Sequence, residues 1–85
     1  MEKYPFLNQA VAKVLRTRRD ALCMSKRKLS DLAMVERAYI TGLESGKWNV
    51  SLNVLFYLSE ALELKPEEFV QMVRGEIDSL KNEEQ

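Results

Sequence analysis

Histidine is absent from the 85 residues, and cysteine occurs once, at Cys23. An internal disulfide therefore has no second thiol, and a zinc site lacks the imidazole and thiolate ligands from which such sites are built. Cys23 is expected as a small core residue. With no histidine, no nucleophile beside a base, no glycine-rich phosphate loop and no paired carboxylates, the pattern of an enzyme is missing and no cofactor is expected. No run approaches the roughly 18 consecutive apolar residues that span a bilayer. The opening MEKYPFLNQA also lacks the basic-then-apolar layout of a signal peptide, so the expectation is a cytoplasmic protein with no membrane attachment. Strand signals are missing too: there is no alternating run and no Asn-Gly or Asp-Gly hairpin turn.

Net charge is the next absence, and it hides an asymmetry. Lys/Arg and Asp/Glu balance at 13 each. Residues 1 to 49 nevertheless hold ten Lys/Arg against five Asp/Glu, and residues 50 to 85 hold three against eight. The chain is a charge dipole of +5 and −5. At physiological salt, fields between exposed charges decay within about 8 Å. A basic half can thus face an anionic polymer while the acidic half faces away, and a net charge of zero does not exclude DNA.

What is present is helical periodicity. Leu7, Ala10, Val11, Val14, Leu15 and Leu22 recur at three- and four-residue spacing and predict a first amphipathic helix. Ser25 is a capping residue for a short helix, Lys26 to Ala33, with Leu29, Leu32 and Ala33 inward. After Met34 and Val35, a third helix from Glu36 to Ser45 carries Ile40 and Leu43 beneath, and Gly46 stands where a C-terminal cap needs a left-handed residue. GKWNV reads as a loop. Ser51 caps a fourth helix reaching Glu63, whose Leu52, Leu55, Phe56, Leu58, Ser59 and Leu62 predict the broadest buried face. Pro66, Glu67 and Glu68 start a fifth, because proline loses no hydrogen bond in a first turn and carboxylates favour the positive end of the helix dipole.

Five helices, two of them short and joined by a tight turn, predict an all-α single domain with a helix-turn-helix made by helices two and three. A core over about residues 7–64 is followed by a C-terminal helix over 65–80 and a frayed tail at 81–85. An α-helix just fits the major groove of DNA, and a recognition helix needs outward polar side chains above an apolar underside. Helix three has both. Arg37 is the candidate for guanine readout through its two-pronged guanidinium, and Ala38 for contact with a thymine methyl. Thr41 and Gly42 share that outer face, with Gly42 read as admitting close approach to DNA. Tyr39 is left open between packing on the core and reaching a phosphate or base edge. Lys26, Glu36, Lys47, Trp48 and Asn49 are candidates for gripping the DNA backbone around the groove. Arg16 and Arg18 either touch that backbone or are simply solvated.

The stretch Ser25 to Ser51, SKRKLSDLAMVERAYITGLESGKWNVS, resembles the Cro and phage-repressor class of helix-turn-helix proteins, the Xre family. The match runs through Leu29, Val35, Ile40, Leu43, Glu44, Gly46, Asn49 and Ser51 without gaps. From Glu36 on, ERAYITGLESGKWN is similar to controller proteins of restriction-modification systems. The resemblance implies a five-helix, lambda-repressor-like fold. It also implies a sequence-specific transcriptional regulator that binds a palindromic operator in double-stranded DNA as a homodimer. Arg19 and Glu44 match a pair that forms an ion bridge between helices one and three in that family. Three positions depart from it: Met34 stands where many members have glycine, Ser30 for a small alanine, and Val50 for proline. A non-glycine residue in a left-handed turn costs about 1–2 kcal/mol, which leaves a reshaped turn open.

Reading a specific site usually takes two copies whose recognition helices lie about 34 Å apart. Helix five is the candidate interface, through Phe69, Met72, Val73, Ile77 and Leu80, shared with the monomer core. A second class of function stays in view: an antitoxin or adaptor module whose main role is binding a protein partner, to which the acidic C-terminal half would be suited.

Overall fold

The computed structural model describes residues 1–84 and consists of five helices: α1 Leu7–Ala21, α2 Lys26–Ala33, α3 Arg37–Glu44, α4 Leu52–Ala61 and α5 Pro66–Glu83. Their starts follow from local chemistry. Ser25 Oγ accepts the Lys28 backbone N–H at 3.0 Å, and Ser51 Oγ accepts that of Val54 at 3.1 Å, each satisfying a donor with no partner inside the helix. At α5, Glu68 reaches back to accept the Lys65 backbone N–H at 2.8 Å.

The helix ends share one solution. Cys23, Met34 and Glu63 adopt left-handed φ values of 53°, 57° and 59°, and the residue after each donates its N–H to the carbonyl five positions back. Those bonds are Met24 to the Arg19 carbonyl (2.9 Å), Val35 to that of Ser30 (3.3 Å) and Leu64 to that of Ser59 (2.9 Å). This closure normally favours glycine. Here an apolar residue after the turn, Met24, Val35 or Leu64, packs against the core instead. The turn at Met34 thus keeps the left-handed geometry without glycine. Ser30, the neighbouring departure from the family, helps to hold it: its Oγ donates to the Val35 carbonyl at 2.6 Å.

The core is one cluster. α1 supplies Ala10, Val11, Val14 and Leu15, α2 Leu29 and Ala33, and α3 Ile40 and Leu43. Val35, in the turn, joins them, while α4 and α5 close the other side. α1 packs against α3 and α5, and α2 against α3 and α4. Three expectations need correcting. Cys23 is exposed, because the left-handed turn carries it outward. Leu32 is exposed on α2. On α4, Leu52 and Phe56 are 70% and 53% exposed, so the buried face is only Leu55, Leu58, Ser59 and the following Leu62.

Helix five supplies the core share of its reading. Phe69, Val73 and Ile77 are 0%, 6% and 4% exposed within one protomer and fill its core. Leu80 packs against that cluster, and only Met72 of the five stands exposed. The tail expected to fray from Lys81 is helical to Glu83, with the Lys81 ammonium 5.7 Å from the Tyr4 ring centroid; Gln85 lies outside the described residues. Among the described residues, no helix is long and apolar enough to cross a membrane.

Candidate nucleic-acid interface

Helix α3 is two-faced because of its spacing. Ile40, Leu43 and Glu44 point into the protein and are buried, while Arg37, Ala38 and Thr41 are exposed together on the outer side. Arg37 stands at the first position of the helix, where a long side chain can reach beyond the helix end. Two anchors fix this face. One is apolar, Ile40 and Leu43 in the core.

The other anchor is ionic. Arg19 on α1 grips the Glu44 carboxylate with two nearly parallel bonds, Nε to Oε2 at 2.8 Å and Nη2 to Oε1 at 3.0 Å. Arg19 Nη1 also donates to the Met24 carbonyl at 2.7 Å, and Asp20 lies 3.5 Å from it. Hydrogen bonding to Glu44 raises the Arg19 pKa, against the opposing pull of burial, with the nearby carboxylate charges adding to the rise. The pair is bidentate and almost wholly enclosed, so the orientation of α3 relative to α1 is set by geometry as well as charge. Among the described residues, no buried side-chain nitrogen or oxygen is left without a partner.

The flanking residues fall into two groups. Lys26 opens α2, followed by the exposed Arg27 and Lys28. Lys47, Trp48 and Asn49 are exposed in the loop after α3, which turns at Gly46 with φ 78°. Tyr39 and Gly42 belong with that loop. The Tyr39 hydroxyl donates to the Asn49 carbonyl at 3.0 Å, and its ring meets Trp48 edge-on, with centroids 5.7 Å apart at 62°. A Cβ on Gly42 would collide with the six-membered ring of Trp48. Of the alternatives left open for Tyr39, the ring packs against the core, partly buried, and its hydroxyl binds the protein's own backbone.

Glu36 precedes α3, and its carbonyl accepts the Tyr39 and Ile40 N–H groups at 3.0 and 3.2 Å. Its exposed carboxylate is a poor phosphate ligand because the two repel, and its chemistry suits a base amino group instead. Arg18 is partly buried and is engaged by the protein itself. Its Nε donates to the Leu62 carbonyl at 3.0 Å and Nη2 to that of Glu63 at 3.5 Å, closing the end of α4. Sequence reasoning missed the exposed Leu52, Phe56 and Tyr57 on α4, because a period of 3.6 shows which residues share a face but not what that face meets.

The comparisons agree with this architecture. A helix-turn-helix family model matches residues 15–69, and no curated protein matches the chain. The restriction-modification controller protein C.AhdI from Aeromonas hydrophila is 35% identical, with a TM-score of 0.71 over 78% of this chain and 98% of that one. The controller protein C.Esp1396I, solved as a tetramer in complex with its natural 35 base-pair operator, is 27% identical, with a TM-score of 0.78 over 87% and 97%. The clp gene regulator ClgR from Corynebacterium glutamicum shares the fold, at 24% identity and a TM-score of 0.86 over 96% and 87%. Members of this family are DNA-binding transcriptional regulators and not enzymes. The chain belongs to the Xre-type helix-turn-helix family and is closely related to the restriction-modification controller proteins.

Proposed function

We propose that the protein is a sequence-specific regulator of transcription that binds double-stranded DNA as a homodimer, with α3 of each copy in the major groove. The observation that carries this reading is the exposed Arg37, Ala38 and Thr41 face on a helix locked from beneath by Ile40, Leu43 and the Arg19–Glu44 pair. A rigid helix with a free outer face suits a groove, and Arg37 can donate to guanine O6 and N7. Lys26, Lys47 and Asn49 grip phosphates on either side and set register without reading sequence.

The second copy meets this one through α4. Leu52, Phe56 and Tyr57 are 70%, 53% and 45% exposed and form an apolar face that the protomer leaves uncovered. That C.Esp1396I occupies its operator as a tetramer supports self-association on DNA. An antitoxin or adaptor that covers the same face with a different protein is the second reading.

The test separates base readout from phosphate grip. Arg37→Ala is expected to relax preference at one position of each half-site by about 1–3 kcal/mol. Lys26→Ala is expected to weaken all duplexes alike and to reduce the slope of log affinity against log salt by about one. Unchanged duplex affinity in both variants would overturn the groove assignment and leave the partner-binding reading.

A further inference from the structure

We propose that Trp48 is a positioning residue, seated on Gly42 and Tyr39 of α3, that holds the phosphate-gripping loop in place; this rests on the DNA-binding reading above. Gly42 lies inside α3 with no left-handed backbone to require it, and glycine is the poorest helix former after proline. Its cause is steric. The three atoms closest to a Cβ built there all belong to the Trp48 ring, at separations no packed methyl tolerates. Tyr39, one turn earlier on the same side of α3, supplies a second wall through its edge-on ring and binds the next loop residue through its hydroxyl.

Trp48 remains 48% exposed, so core burial does not explain where it sits. The loop it belongs to turns at a left-handed Gly46 and carries Lys47 and Asn49 on either side of the indole. Ser45 ties the start of the loop: its Oγ donates to the Gly42 carbonyl at 2.7 Å and accepts the Lys47 N–H at 3.4 Å. Fastening both ends to the recognition helix before DNA arrives lowers the ordering cost of binding. Gly42 and Tyr39 therefore act through the loop, on affinity for any duplex, and not by admitting a base edge.

Trp48 is the sole tryptophan, so its emission reports its own seat. The experiment compares wild type, Gly42→Ala, Trp48→Ala and the double variant by thermal melting. Fluorescence anisotropy then follows binding to a selected palindromic duplex and to a scrambled one. Gly42→Ala is expected to shift the emission of the free protein to the red and to weaken both duplexes by one common factor of about ten, in the range for residues in contact. In the Trp48→Ala background the methyl group has room. There Gly42→Ala should change affinity less than about twofold and should raise the melting midpoint, reversing its sign, because alanine is the better helix former. Should Gly42→Ala not fold alone, the double variant still reports that reversal against Trp48→Ala.

Loss of affinity for the selected duplex alone with unchanged emission would overturn the proposal, as would an equal loss in both backgrounds. Failure of the DNA-binding reading looks different. Lys26→Ala and Lys47→Ala would then leave every duplex affinity unchanged, and the emission shift with the reversal in melting would still decide whether the indole sits on Gly42.

Discussion

Helix α5 buries Phe69, Val73 and Ile77 inside the protomer, whereas α4 leaves Leu52, Phe56 and Tyr57 in solvent, although both stripes are strongly apolar in sequence. α5 packs along α1 and α4, which cover the Phe69, Val73 and Ile77 stripe and leave Val70 and Met72 exposed. α4 is apolar on more than one side, and α2 and α5 cover only part of it. Among the described residues no other helix takes the remaining face, and uncovered apolar surface of this kind is the type that interaction sites use. The amount of hydrophobic residue in a helix thus says less about its partner than the number of faces it occupies.

The sharpest way to break that contrast is a pair of phenylalanine truncations. Phe69→Ala is expected to cost about 3–5 kcal/mol in urea unfolding, since the ring is fully buried. Phe56→Ala should leave the unfolding of the dilute protomer within about 0.5 kcal/mol and instead weaken self-association in sedimentation equilibrium. Equal costs for the two would remove the distinction between the helices.

Glu44→Ala probes the polar counterpart on α3, and a cost of about 3 kcal/mol is expected because Arg19 would keep an enclosed charge without its partner. Thermal melting of this variant beside Glu44→Gln separates loss of charge from loss of the two hydrogen bonds. Ser51→Ala removes the cap of α4 and should cost about 1 kcal/mol without altering the exposed face. The smallest effect is a gain: Met34→Gly relieves a left-handed residue and should stabilise by about 0.5–1 kcal/mol after glycine's own entropy is counted. A loss there would mean that the exposed Met34 side chain makes a contact of its own.

Much of this fold is legible from local signals. Ser25, Ser51 and Pro66 mark helix starts, and the spacing of Leu29, Ile40, Leu43 and Leu58 marks the inward faces. The outward face of α3 is legible for the same reason, since Arg37, Ala38 and Thr41 lie opposite Ile40 and Leu43. Contacts between distant elements are not legible. Nothing near Arg18 in sequence reveals that it closes α4 through the Leu62 carbonyl. Nothing in the spacing of Gly42 and Trp48 discloses that the loop folds back and sets the indole against the glycine. Cys23 misleads in the same manner, because burial statistics for cysteine yield to a turn that points it outward.

Selection of bound duplexes from a random pool by the purified protein at physiological salt tests the central claim most directly. The account predicts enrichment of a palindrome whose half-sites lie about one helical turn apart, as two copies of α3 require. Retention of no preferred sequence by the folded protein would contradict it.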